Sequence, residues 1–309
     1  MFKTNPNLRG HNEPVPVSKE QAQEIVRCSQ DISYFANNYF YITTIDYGKI
    51  TIPLRKYQYK ILKSFVDGNT IDVAEGGDGK KNRIVLSGRQ TGKTTTVSIY
   101  VLWLILFKKD STIAILGNKM ATAMEIMQRI RESYEDLPIW MQPGLLEWNK
   151  TSFETSYHMK IFCSSTSASG IRGKAIGYLV CDEIAFVPKN IINDFMSSVL
   201  PTVSSGKKSQ VILVSTPNGT NHYYDMWRDA KIGKSSYKPI KVNWWDVPGR
   251  DLAWKEQTIA DIGLVKFNQE YSCVDGESLI DIKCKKTGDI ITIPIEEFYE
   301  FYAGEDNNV

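Results

Sequence analysis

An apolar run, Arg83-Ile84-Val85-Leu86, leads into Ser87-Gly88-Arg89-Gln90-Thr91-Gly92-Lys93-Thr94, and a long apolar stretch follows to Phe107. A strand that passes through a glycine-bearing loop into a helix constrains the fold more than any other feature of this chain. It aims backbone N–H groups at one point in front of a helix N-terminus, where an anion is favoured. A lysine at the loop's end reaches terminal phosphates, and the hydroxyl after it serves Mg²⁺. Gly92, Lys93 and Thr94 hold those positions, and Ser87 to Thr94 is the predicted phosphate-binding stretch. Its first residue is Ser87 where the usual GxxxxGK[ST] pattern has glycine, with Gly88 next to it to supply the flexibility.

The surrounding chain alternates strand and helix. Thr112 to Leu116, Lys160 to Cys163, Tyr178 to Cys181 and Gln210 to Val214 are short apolar strand patterns, and Ala121 to Tyr134 has helical periodicity. This alternation predicts an α/β fold, a mostly parallel sheet with flanking helices, which with the phosphate loop resembles the P-loop NTPase (RecA/ASCE-like) kind. Upstream, helices are expected from Ser18, over Ile32 to Phe40, and over Tyr57 to Phe65, with residues 1–17 as a flexible arm. Residues 67–82, rich in Gly, Asp and Lys, are expected to form a loop or loose hairpin.

A phosphate loop needs a carboxylate partner. Tyr178-Leu179-Val180-Cys181 is followed by Asp182-Glu183, an acid pair at a strand's carboxyl end, which faces the crevice where open α/β sheets bind ligands. Asp182 would hold Mg²⁺ through water, and Glu183 would orient and polarise the attacking water. Ser215-Thr216, after the strand ending at Val214, is placed to sense a γ-phosphate. Arg89 is a candidate cis arginine finger, and Gln58, in PLRKYQ, a candidate for hydrogen bonding an adenine edge; the bland alternatives are a solvated loop arginine and an ordinary helix start.

With these residues in view, the chain resembles the large terminase subunit of tailed bacteriophages over roughly residues 30–272. LEWNKTSFE, SGIRGKA, CDEIAFVP, STPNGTNHYYDMW and FNQEYSC look like family segments in family order. The resemblance implies an ATPase motor that uses ATP and Mg²⁺ to drive double-stranded DNA into procapsids. It implies Gln58 on the adenine side and Arg89, Lys93 and Thr94 as phosphate and Mg²⁺ residues. Asp182 becomes the metal-supporting acid, Glu183 the catalytic carboxylate, and Ser215-Thr216 the motif that couples hydrolysis to movement. Arg172 falls in a loop that the family uses near the nucleotide. The implied partners are a portal protein, the small terminase subunit and further copies in a ring, in the cytoplasm of the bacterial host. The family's RNase H-like nuclease domain does not fit in residues 273–309, so no nuclease activity is expected of this chain, whose ATPase domain is expected over residues 18–272.

After Ser272 the texture changes. Cys273-Val274-Asp275-Gly276-Glu277-Ser278 resembles the opening block of an intein, followed by two β-like runs, Ser278 to Cys284 and Asp289 to Ile295, and a short helix from Pro294. The resemblance implies residues 273–309 as the N-terminal half of a split intein, a small β-hairpin appendix with Cys273 as splicing nucleophile. A complementary chain would carry the remaining splicing residues and the nuclease. The other reading is a cysteine on a β-strand in a diverged, non-splicing tail of a helicase-like or translocase ATPase. A superfamily-2 helicase needs a second RecA-like domain for which no length remains.

Composition excludes more than it assigns. A net charge of +2 advertises no basic field for nucleic acid, and 42% hydrophobic residues with 23% charged excludes a wholly disordered chain. Five cysteines without CxxC spacing indicate free thiols rather than a disulfide framework or zinc site. The apolar run Val97 to Phe107 is too short to span a bilayer and is expected as a buried helix, so no membrane partner is predicted.

Overall fold

The computed structural model describes residues 5–44, 46, 48–51, 53–69, 79–167, 171, 174–198, 203, 209–272, 279–283 and 288–294. Arg172, Cys273, the helix expected from Pro294 and most of the 67–82 loop lie outside the described residues.

Helices α1 (Lys19–Gln30) and α2 (Ile32–Tyr39) start where polar side chains can cap them. Ser18 and Gln21 form a reciprocal capping box, and Asp31 accepts from the N–H groups of Ser33 and Tyr34. A hairpin of β1 (Tyr41–Thr44) and β2 (Gly48–Thr51) precedes α3 (Lys56–Asp67). Then come β3 (Asn82–Ser87), α4 (Lys93–Phe107), β4 (Ser111–Gly117), α5 (Met120–Glu135), β5 (Leu145–Trp148), β6 (Ser152–Thr155) and β7 (Met159–Ser165). They are followed by β8 (Tyr178–Asp182), α6 (Lys189–Ser198), β9 (Gln210–Ser215), α7 (His222–Lys231), β10 (Tyr237–Val242), α8 (Leu252–Ile262) and α9 (Leu264–Glu270).

Eight of these strands form one sheet in the order β10-β3-β9-β8-β4-β7-β6-β5. The pairs from β10 to β7 are parallel, and β6 and β5 add an antiparallel edge. The α/β expectation holds, with β9 lying between the phosphate-loop strand and the acid-pair strand. β3 and β9 are buried at every position, because helices cover both faces. Helix α4 has buried residues all round from Thr96 to Leu106, which makes it a core helix. No described helix is long and apolar enough to cross a membrane.

Part of the expected flexible arm is docked. Leu8 is buried, Arg9 N–H donates to Gln142 Oε1 at 3.1 Å, and Gly10 bridges to Leu145 of β5. A single leucine in a polar stretch gives no periodicity, so the sequence reads as an arm while the side chain still finds apolar cover. The hairpin expected after Ser272 is present as β11 (Leu279–Lys283) paired antiparallel with β12 (Ile290–Pro294), in a sheet of its own.

Candidate nucleotide site

Three strands bring their carboxyl ends to one edge of the sheet. β3 ends at Ser87 and opens the loop, β8 ends at Asp182, and β9 between them ends at Ser215. Two left-handed residues, Gln90 (φ +56°) and Gly92 (φ +76°), fold the loop back onto the start of α4. Ser87 Oγ and Thr91 Oγ1 lie 2.5 Å apart, and Thr91 Oγ1 also reaches Gly88 O at 3.1 Å. Ser87, where glycine is usual, therefore ties the loop across its base. The Tyr57 hydroxyl donates to Thr91 O at 2.6 Å from outside the loop.

Lys93 Nζ stands 2.6 Å from Glu183 Oε1, so the loop lysine and the acid pair meet. The other oxygen, Glu183 Oε2, accepts from Thr216 N–H at 3.3 Å, Thr216 Oγ1 at 3.1 Å and Ser215 Oγ at 3.4 Å. Glu183 itself is left-handed, with φ of +53°, a strain of about 1–3 kcal/mol for a residue with a Cβ. Its N–H donates to Asp182 Oδ1 at 3.0 Å. Asp182 is 2% exposed, and burial pushes its carboxyl up to about 7, against the attraction of Lys93 and together with the repulsion of Glu183. A buried carboxylate so destabilised is poised to gain from a nearby cation. Thr94 occupies the second position of α4, at the helix N-terminus beside the loop.

Two expected residues stand elsewhere. Gln58 is buried, and both ends of its amide are engaged inside the protein. Oε1 accepts from Arg55 N–H at 3.0 Å, and Nε2 donates to Thr96 Oγ1 at 3.2 Å. A Cβ on Gly92 would meet Gln58 Nε2 at 2.9 Å, so Gln58 packs under the loop rather than presenting its amide to an adenine edge. Arg89 pairs with Glu270 of α9 through its guanidinium, and its N–H donates to Glu270 O at 2.8 Å. Its side chain thus engages α9, not the Lys93–Glu183 pair.

Other residues at the loop carry no motif. Arg250 donates to Arg89 O at 3.0 Å and Gln90 Oε1 at 3.3 Å, with its guanidinium 4.7 Å from the Trp254 ring centre and 5.2 Å from that of Tyr271. Burial lowers its pKa. Tyr57, Arg250 and Glu270 hold the loop from outside. Of these, Tyr57 lies beside Gln58 and Glu270 lies within FNQEYSC, and nothing in the local sequence marks Arg250.

Strand–loop–helix, the central β9 and the acid pair at the end of β8 together define an α/β fold of the P-loop nucleotide-binding class. Residues 84–298 match the family described as terminase large subunit, T4likevirus-type, N-terminal, and the chain belongs to that family. The match runs past Cys273. The chain is 21% identical over 233 residues to the large terminase subunit of Thermus phage G20c, spanning 62% of this chain and 45% of that relative's length. In fold it is similar to the HK97 bacteriophage large terminase, with a TM-score of 0.65 at 12% identity over 82% of this chain and 56% of that one. It is also similar to the large terminase ATPase domain of Thermus phage P74-26, with a TM-score of 0.54 at 19% identity over 65% and 91% of the two chains. The large terminase of a further thermophilic bacteriophage, in complex with ADP, gives 0.55 at 14% identity over 74% and 55%.

Proposed function

We propose that this chain is the ATP-hydrolysing motor part of a viral large terminase subunit and drives double-stranded DNA into procapsids. The observation that carries the reading is the carboxylate of Glu183, set between the loop lysine and the Ser215-Thr216 pair. Lys93 is then a phosphate ligand that leaves Glu183 when nucleotide enters, which frees one carboxylate oxygen to accept a proton from water. Ser215 and Thr216 touch the other oxygen, so a change at the phosphate is felt at the end of β9.

Thr94 and Asp182 supply a hydroxyl and a carboxylate, and with nucleotide phosphates these make an all-oxygen donor set suited to Mg²⁺. Mg²⁺ would neutralise charge on the transferring phosphoryl group. Arg89 reaches that group only after leaving Glu270. The duplex is gripped by contacts to phosphate, independent of sequence. Portal protein, small subunit and further copies in a ring, in the bacterial cytoplasm, complete the machine.

Glu183→Gln is the direct test. It keeps the shape and removes the base, so nucleotide binding is expected to persist while turnover falls by about 10²- to 10⁴-fold. A Gln variant that still hydrolyses ATP at the original rate refutes the assignment.

For the tail we propose trans-splicing with a complementary chain. The antiparallel pairing of β11 with β12 supports it, and the family match through residue 298 favours a tail that belongs to the motor domain instead. Cys273 Sγ would attack the Ser272 carbonyl carbon, breaking the peptide C–N bond and leaving a thioester and a free, protonated amine on Cys273. An added thiol is then expected to release residues 1–272, detected by mass, and Cys273→Ala is expected to stay intact. No release with the complementary chain present assigns the tail to the motor domain.

A further inference from the structure

We propose that Asn221 is a positioning residue for Glu183, an inference that rests on the reading of Glu183 as the catalytic carboxylate. Glu183 sits in a strained left-handed conformation, which persists only where the surroundings over-determine it. The residues that follow it, Ile184–Phe186, form a single 3-10 turn too short to hold itself. What holds that turn comes from the end of β9, the loop after it and the start of α7. Asn221 Nδ2 donates to Ala185 O at 2.8 Å, and Asn218 Nδ2 reaches the same oxygen at 3.1 Å. His222 Nε2 lies 2.9 Å from Ile184 O, and Ala185 N–H donates to Ser215 Oγ at 3.2 Å.

Among these contacts Asn221 alone has its side chain in two structures at once. Its Oδ1 accepts from the N–H groups of Tyr223 and Tyr224 and caps α7, while its Nδ2 also donates to Asn218 O at 2.9 Å. One amide therefore joins the start of α7 to the backbone two residues beyond Glu183. Any movement of the loop after β9 reaches α7 and the catalytic turn together.

The two halves of the amide separate in the test. Asn221→Asp keeps the cap, since a carboxylate is as good an N-cap as an amide, but it places an acceptor against two carbonyl oxygens. The full chain and this variant are compared by melting, by titration with a fluorescent ATP analogue and Mg²⁺, by steady-state turnover and by hydrogen exchange. The expected variant melts within about 2 °C of the parent, because the cap remains. It binds the analogue within about threefold and loses about 10- to 100-fold in kcat, as a misplaced catalytic group does. Amides of residues 184–187 exchange about tenfold faster while those of α7 do not change. Asn221→Ser, a second cap-retaining variant, is expected to behave alike, and Asn221→Ala to lose α7 protection as well.

Unchanged exchange at residues 184–187 in the Asp variant, or unchanged kcat, overturns the proposal. So does a loss of kcat matched by an equal loss of nucleotide binding. If the parent chain shows no turnover with DNA and partners present, the motor reading fails, and the exchange comparison still decides whether Asn221 holds the turn.

Discussion

The nucleotide-free protein is predicted to gain stability when Asp182 loses its charge. The folded state raises this carboxyl from 3.8 to about 7, a shift of about 3 units or about 4 kcal/mol against the ionised form. Between those values the folded chain binds a proton that the unfolded chain has released. Stability therefore falls as pH rises from about 4 to about 7, and the loss is complete above that window. A neutral amide at this position carries none of this load and keeps an acceptor for Glu183 N–H. In chelator at pH 8, Asp182→Asn is expected to be more stable by about 2–4 kcal/mol, the lower end allowing for relaxation around the buried charge. At about 2.1 cal/mol/K of unfolding entropy per residue, this chain shifts by about 1.5 °C per kcal/mol, so the melting midpoint rises by about 3–6 °C. At pH 5 the folded Asp182 is protonated but its unfolded counterpart, near 3.8, is not, so the gap narrows to about 1–2 kcal/mol and closes only below about pH 4. Melting curves at both pH values, read by circular dichroism, decide the matter. A variant that melts at or below the parent at pH 8, or one with the same gap at both pH values, refutes the reasoning.

Gly92→Ala combines a left-handed alanine with a close approach to Gln58 Nε2, and is expected to cost about 1–3 kcal/mol by melting; Gln58→Ala in the same chain should recover the contact part but not the backbone part. Glu270→Gln releases Arg89 from its ion pair and is expected to tighten nucleotide binding by about twofold to fivefold in a fluorescence titration, a gain lost again in Arg89→Ala. Arg250→Ala removes two hydrogen bonds to the loop and stacking on Trp254 and Tyr271, and thermal melting should show a loss of about 1–2 kcal/mol.

The centre of the fold was legible because its signals are local. An apolar run, a glycine-bearing loop and a long apolar helix stand consecutively in residues 83–107, and β8 runs straight into its acid pair. The edges were not. β10, with the sequence YKPIKV, carries a proline and two lysines, which a strand tolerates because it lies at the sheet's rim with only β3 beside it. β5 and β6 are four residues each, and the β1 and β2 strands hold no fully buried residue, so neither builds a long pattern. At the site, sequence identifies residue types but not the direction of side chains. Gln58 is the clearest case: its capping of α3 is local, but its bond to Thr96 depends on a helix that begins 35 residues downstream in the chain. Asn221 stands inside the segment STPNGTNHYYDMW with nothing local to mark its role, which needs the Ala185 carbonyl that only folding brings to it.

The docked stretch around Gly10 has a bearing on solubility. β5 is the last strand of the sheet, and a terminal strand offers its unpaired amides and carbonyls to any other strand that comes along. Here Leu145 N–H donates to Arg9 O at 2.9 Å and His11 N–H donates to Leu145 O at 3.1 Å, so an earlier stretch of the same chain occupies part of that rim. Residues 8–11 thereby act as a fender against edge-to-edge polymerisation, guarding a molecule that the proposed ring would crowd beside its own copies without letting them fuse into fibres.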